Sequence, residues 1–143
     1  MKSQKRGFEP VPIQDSRDPK KQITAYVDTT TFRKLANRNP TKAQNLKIAL
    51  EVLQNPVSIW HGLREHETPQ SGYCYAGKPE NVFYRTERNA LGNQVPLRKK
   101  WLFCVFLNED MKIFDWGLLP VSPEHELWPE GHRERFQERL WTL

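Results

Sequence analysis

The hydrophobic period of this chain changes most clearly within residues 46–63, which read LKIALEVLQNPVSIWHGL. Apolar residues first recur at the i, i+3, i+4, i+7 spacing of an amphipathic helix, at Leu46, Ala49, Leu50 and Leu53. We predict a helix over residues 41–55 that ends at Pro56, because the residue before a proline disfavours helical backbone. The period then becomes 2, which predicts a strand with His61 on one face and Arg64 on the other.

The flanking sequence extends this pattern on both sides. Residues 23–27 alternate between apolar and small or polar side chains, which predicts a short strand. Residues 29–36 are predicted to form a first helix, with N-cap hydroxyls at Thr29, Thr30 and Thr31. Further strands are predicted downstream, at residues 72–77, 82–85, 101–107 and 111–116. Residues 86–98 contain several turn formers and are predicted to be an exposed loop. Phe136 and Leu140 are four positions apart, which predicts a short C-terminal helix.

Helices followed by a run of strands are typical of the α+β class. We therefore expect N-terminal helices packed on one face of a four- to five-stranded, mainly antiparallel sheet, with a short C-terminal helix. The length of 143 residues fits one domain of ordinary size. We expect residues 1–21 to be a basic, flexible N-terminal arm and residues 22–143 to be a single α+β domain.

The charge is unevenly distributed along the chain. Residues 1–47 carry 11 Lys or Arg against 4 Asp or Glu, whereas residues 109–143 carry 4 against 8. A basic front half is compatible with a polyanionic partner, and equally with a solvated arm that binds nothing.

Several classes of protein are disfavoured by composition. No apolar run approaches the roughly 20 residues of a membrane-spanning helix, and the basic N-terminus is not followed by the apolar stretch of a secretory signal. The two cysteines, Cys74 and Cys104, do not form a disulfide scaffold and are expected to pack in the core. These features favour a cytoplasmic protein that does not bind membranes.

Two familiar motifs are considered and rejected. Residues Gly72 to Lys78 match the first seven positions of a phosphate-binding P-loop, but Pro79 stands where a Ser or Thr hydroxyl is required. His61 and His66 are five positions apart, which places them on no common face, and the acidic residues match no ligand motif. We expect no metal and no cofactor.

The remaining chemistry lies in polar groups on or beside the predicted strands. These are His61, Arg64, Tyr73, Tyr75, Lys78, Tyr84, Arg85 and Arg88. Histidine exchanges protons near neutral pH, and cationic side chains stabilise a phosphate whose charge grows in the transition state. This set fits a metal-free ribonuclease: His61 as general base or acid, Arg64 or Lys78 as phosphate clamp, and Tyr73 or Tyr75 as a positioning or proton-donating group. Alternatively, His61 is structural and the cations coat a surface.

The segment Leu53-Gln-Asn-Pro56 and the following Val57–Trp60 resemble a phage-associated branch of the barnase–EndoU–colicin–RelE nuclease superfamily. The tyrosines at 73 and 75 and the strand pair Trp101–Leu107 and Lys112–Trp116 extend the resemblance over roughly residues 23–120. It implies N-terminal helices on a four-stranded antiparallel sheet and cleavage of RNA without metal. Active residues vary in that superfamily, so it assigns no catalytic residue here.

The resulting hypothesis is a metal-independent, toxin-like endoribonuclease with RNA as substrate and an inhibitor or immunity protein as a possible partner. His61, Arg64, Tyr73 and Lys78 are its candidate catalytic residues. Two alternatives stay open. One is a non-catalytic module of the same fold that binds nucleic acid or protein, and the other is an inactive relative. Strongly salt-dependent binding without turnover would distinguish the first alternative from the enzyme.

Overall fold

The structure is a computed structural model that describes residues 8–28, 46–64 and 72–143, with the backbone alone for residues 81–87 and 96–99. Within these residues, seven strands and two helices follow one another. The strands are β1 (Phe8–Gln14), β2 (Gln22–Asp28), β3 (Ser58–Leu63), β4 (Gly72–Arg88), β5 (Gln94–Asn108), β6 (Lys112–Pro120) and β7 (Phe136–Thr142). The helices are α1 (Leu46–Gln54) and α2 (His132–Arg135).

The described strands form one sheet in the order β1-β2-β6-β5-β4-β3-β7. It curls into a half-barrel. Neighbouring strands are antiparallel except β2 and β6, which run parallel where Tyr26 and Val27 pair with Lys112 and Ile113. Helix α1 lies against one face of this sheet, in contact with β1, β4 and β5.

Helix α1 packs on the sheet through its apolar stripe. Ala49 and Leu53 of the predicted stripe are buried, Leu46 and Leu50 are half-buried, and Val52, outside the predicted stripe, is also buried. Burial of a valine or leucine side chain stabilises the fold by roughly 1.5–3 kcal/mol. The helix approaches β4 closely at Gly77, where an added Cβ would stand 2.5 Å from a methyl of Val52. A glycine at position 77 is therefore what allows this packing distance.

The opposite face of the sheet has its own core, built around Trp60. Its ring stacks on Phe136 at 5.6 Å between centroids and meets Trp128 edge-on at 5.7 Å. The Trp60 indole N–H donates a hydrogen bond to Ser58 Oγ, and the Ser58 hydroxyl donates to the carbonyl of Leu127. The chain between β6 and β7 thus covers the face that α1 leaves open.

The expected fold class is wrong in strand number and in helix content. The described residues contain a seven-stranded curled sheet with one nine-residue helix on one face, instead of several helices on four or five strands. Phe8–Gln14, placed by the sequence in the N-terminal arm, pairs with β2 over its full length. The alternation of Val11 and Ile13 is a strand signal that the three prolines of residues 1–21 obscured.

The predicted C-terminal helix is also wrong. Helix α2 covers His132–Arg135, and Phe136–Thr142 forms β7 against β3. Phe136 belongs to the Trp60 core, whereas Leu140 packs against the core under α1. Ile59 pairs with Trp141 and Trp60 pairs with Arg139, so Leu140 is an extra residue on β7, and this bulge places Phe136 and Leu140 on opposite faces of the sheet.

Other local predictions are confirmed. Residues 46–54 are helical, residues 58–63 form a strand, and β5 and β6 form the predicted hairpin, with Leu107 paired to Ile113. Residues 72–78 lie within β4, so the rejected P-loop match is strand. The predicted helix 29–36 and the first turn of helix 41–55 lie outside the described residues. No helix in the described residues combines the length and apolar character that a membrane-spanning segment requires.

Candidate functional site

His61 and Tyr73 are brought together by strand pairing. They stand opposite each other in the β3–β4 register, and their ring centroids are 4.7 Å apart. The backbone pairing therefore positions two of the four candidate residues side by side on one face of the sheet.

His61 lies between two carboxylates. Its Nε2 is 2.7 Å from Oε1 of Glu109, and its Nδ1 is 3.4 Å from Oε1 of Glu138. Glu138 is the β7 residue directly opposite His61, and Glu109 lies in the β5–β6 turn. Asn108 shapes that turn, since its Oδ1 accepts hydrogen bonds from the backbone N–H groups of Asp110 and Lys112. The arrangement orients an imidazole for proton transfer.

The charge around this pair is mainly negative. The pKa of Tyr73 is raised, first by burial and then by the carboxylate of Glu109, with smaller contributions from Asp15 and Glu138, while Arg17 lowers it. The guanidinium of Arg17 is 3.7 Å from Glu138. Among the described residues that act on Tyr73, three carboxylates and one guanidinium disfavour a phosphate, whereas the sequence predicts cations beside His61.

Arg64 and Lys78 do not join His61. Arg64 is exposed just beyond β3, where its backbone N–H donates to the carbonyl of Arg135. Lys78 is exposed five residues along β4 from Tyr73, which corresponds to roughly 17 Å of extended strand. The four candidate residues therefore lie at three separate places. They do not form one site that combines His61 and Tyr73 with the two cations.

The sequence analysis did not identify Glu109, Glu138 and Arg17 as neighbours of His61. Each comes from a different strand connection or edge, and a single sequence gives no signal for contacts across such separations. Among the residues that the structure describes, no group of three or more His, Cys, Asp or Glu side chains could hold a metal ion.

A second feature was predicted as a loop and is a hairpin. Residues 78–100, here called the basic hairpin, contain the ends of β4 and β5, joined by a turn in which Asn89 Oδ1 accepts from the N–H groups of Leu91 and Asn93. In the described part of the chain, β3 stops pairing with β4 at Ala76, and β6 stops pairing with β5 at Trp101. Beyond these points β4 and β5 pair with each other alone, to Arg88 opposite Gln94.

The basic hairpin has an excess of positive charge. It contains two glutamates, Glu80 and Glu87, and six basic residues: Lys78, Arg85, Arg88, Arg98, Lys99 and Lys100. The side chains of Lys78, Arg88 and Lys100 are exposed. Strand pairing places Arg98 opposite Phe83 and Lys99 opposite Val82. A two-stranded extension of seven residue pairs, from Asn81 opposite Lys100 to Arg88 opposite Gln94, is roughly 24 Å long, so the basic positions are spread along an extended ribbon.

A groove of about 730 Å³ lies at the base of the basic hairpin. Apolar walls come from α1 and from aromatic residues of β5 and β7, among them Phe103 and Trp141. Gln14, at the end of β1, is buried and also lines this groove. The groove and the hairpin share Lys78 and Glu80, so the two features are contiguous.

Comparison with known proteins gives no relative for this chain. No protein-family model matches it, and no curated protein and no solved structure matches it. The resemblance to the barnase–EndoU–colicin–RelE superfamily therefore stays a prediction, and the function is argued from the geometry above.

Proposed function

We propose that this chain binds nucleic acid, with RNA as the ligand, through the basic hairpin. The observation that carries the proposal is that two strands extending beyond the rest of the described sheet hold six Lys or Arg and two Glu. Cationic side chains displayed along a ribbon contact successive phosphates of a backbone and release its condensed counterions. Aromatic side chains near the hairpin, Trp101 and Phe103, offer rings on which unpaired bases would stack, and RNA presents unpaired bases.

The test is equilibrium binding of a fluorescent 12-nucleotide RNA, measured by anisotropy over a range of salt concentrations. The hairpin variant combines Lys78→Gln, Arg88→Gln and Lys100→Gln, all at exposed positions. The matched control combines Lys20→Gln, Lys21→Gln and Lys47→Gln, which are also exposed and remove the same charge. Each single-strand phosphate contact contributes about −0.7 to the slope of log K against log salt.

The hairpin variant is therefore expected to lose affinity and to flatten this slope by about 2, whereas the control variant changes both quantities much less. Equal losses in the two variants would show that net charge matters and the hairpin does not. Absence of binding by the unmodified protein at low salt would overturn the proposal.

A second candidate function is RNA cleavage without metal at His61. The 2.7 Å contact between His61 Nε2 and Glu109 favours it, because a carboxylate that orients an imidazole prepares it for proton transfer. Nδ1 has the longer contact, to the half-exposed Glu138, and is the nitrogen that a substrate would reach when Glu138 turns away. Arg17, whose guanidinium is 3.7 Å from Glu138, supplies a cation on this side of the site.

The cleavage test is incubation of purified protein with an RNA pool in excess EDTA. Cleavage that falls at least about 100-fold in His61→Gln, and that persists in a Glu126→Gln control at an exposed site, would support this candidate. Unchanged cleavage in His61→Gln would assign the activity elsewhere. A toxin-like role, an inhibitor partner and a cytoplasmic location belong to the same proposal and depend on its outcome.

A further inference from the structure

We propose that the groove at the base of the basic hairpin is a nucleobase pocket for the RNA that the hairpin binds. This inference rests on the proposed RNA binding and adds what is recognised: one flat heteroaromatic base inserted beside Gln14. The groove volume of about 730 Å³ lies within the roughly 300–1,000 Å³ that small-ligand sites occupy.

The buried amide of Gln14 is the first support. Gln14 is 8% exposed, and its Nε2 has no hydrogen-bond partner among the described residues. Tyr75 fixes the backbone of Gln14, because the Tyr75 hydroxyl donates a 2.7 Å hydrogen bond to the Gln14 carbonyl. A buried donor without an acceptor is costly, and most such groups in proteins find a partner. This nitrogen is fully covered in the structure, so a ligand acceptor in the groove would satisfy it once the Gln14 side chain turns toward the groove.

Aromatic walls are the second support. Phe103 and Trp141 line the groove, and both are half-buried against the core under α1. Trp101 lies two residues before Phe103 on β5, and side chains at this spacing project to the same face of a strand. Every base has a face that stacks on such rings, which is how proteins commonly hold an unpaired base.

The position of the groove relative to the hairpin is the third support. Lys78 and Glu80 line the groove and also begin the hairpin, so a strand of RNA along the basic ribbon passes its opening. Lys78 can contact a phosphate at this opening. Glu51 and Glu80 also line the groove, and carboxylates accept hydrogen bonds from exocyclic amino groups and ribose hydroxyls. An amide donor, stacking walls, a cation and acceptors together match a nucleotide.

The test compares two 12-nucleotide probes, an ordinary oligoadenylate and a fully abasic ribose-phosphate chain of equal length. The hairpin contacts phosphates in both, whereas the groove can take a base from the first alone. The unmodified protein is expected to bind oligoadenylate about tenfold more tightly than the abasic chain. Gln14→Met, which keeps the length of the side chain, is expected to weaken binding of oligoadenylate several-fold and to leave the abasic chain unchanged.

A second measurement separates this inference from RNA binding as a whole. Adenosine monophosphate alone, at millimolar concentration, is expected to quench tryptophan fluorescence, and Gln14→Met is expected to weaken that effect. Such quenching would support the pocket even if the 12-nucleotide probe does not bind through the hairpin. Equal affinity for both probes, without quenching by the monophosphate, would overturn the pocket and leave the hairpin proposal standing. An equal response to phenol would indicate an unspecific aromatic pocket and would also overturn it.

Discussion

His61 Nε2 lies 2.7 Å from Oε1 of Glu109, although 48 positions separate the two residues in the chain. The contact joins β3 to the β5–β6 turn, and the neighbouring contact with Glu138 joins the same imidazole to β7. Three parts of the sheet therefore meet at one side chain, which gives His61 a structural role that is independent of any catalysis.

We expect the His61–Glu109 contact to appear as an energetic coupling. In a double-mutant cycle of His61→Gln and Glu109→Gln, the coupling should be about 1 kcal/mol, at the upper end for exposed pairs, because the His61 side chain is only 24% exposed. Urea unfolding of the four proteins measures it. Glu126→Gln combined with His61→Gln serves as the control and should be additive. Additivity in the Glu109 cycle as well would contradict the contact.

Gly62 is expected to tolerate no side chain. Its φ is +82°, and an added Cβ would stand 2.6 Å from the Cβ of Gln137 on β7. Gly62→Ala should therefore lower the free energy of unfolding by roughly 2 kcal/mol.

The matched control is Gly117→Ala on β6, where an added Cβ has nothing within 4 Å. Chemical denaturation should give this variant a free energy of unfolding within about 0.5 kcal/mol of that of the unmodified protein. Equal stability of the two variants would contradict the close approach of β3 and β7 at Gly62.

The fold is expected to lose stability in alkali through its buried phenols. Burial raises the pKa of Tyr75, and burial followed by Glu109 raises that of Tyr73, from the ordinary value of 10.0. A phenol with a raised folded-state pKa stabilises the fold fully below its unfolded pKa, and this contribution is lost as pH rises through the folded pKa. The free energy of unfolding should therefore decrease above about pH 10.

Urea titrations at several alkaline pH values measure this dependence. Tyr75→Phe should flatten it, and Tyr26→Phe, at a position 38% exposed, should leave it unchanged. A dependence that is identical in both variants would exclude Tyr75 as its source.

The two cysteines should be unreactive in the folded protein. Cys74 and Cys104 are free thiols with no exposed surface, and burial, followed by the neighbouring Cys104, raises the pKa of the Cys74 thiol. Because the thiolate is the reactive species, modification should wait for unfolding. Ellman's reagent should therefore react at the rate of unfolding in native buffer and at once in concentrated urea. Immediate reaction without denaturant would contradict the burial of both thiols.

Some of the fold could be predicted because its signal is local. The helical spacing before Pro56 and the alternation after it identified α1 and β3, and apolar residues on both sides of a turn identified β5 and β6. The prediction of a C-terminal helix is wrong because a spacing of four residues suits one face of a helix and one face of a regular strand alike. The bulge at Leu140 of β7 then places Phe136 and Leu140 on opposite faces. The outer part of the hairpin was missed because Asn89, Gly92, Asn93 and Pro96 predict a loop over residues 86–98.

The candidate site was predictable to a smaller degree. His61 and Tyr73 were named from their chemistry, and strand pairing brings them together. Their partners Glu109 and Glu138 were not named, and Arg64 and Lys78 lie elsewhere. Leu63, expected on the same face as His61, belongs to the Trp60 core because the positive φ of Gly62 interrupts the alternation.

The sequence by itself determined where the chain changes period, which residues are apolar enough to form a core, and where positive charge accumulates. These properties depend on neighbouring residues and on side-chain type. The tertiary structure alone decided that β1 and β7 join the sheet, that six basic residues lie on a hairpin extending beyond the rest of the described sheet, and that two carboxylates enclose His61. Such contacts depend on the free energy with which distant segments pair and pack. No local sequence pattern specifies that free energy.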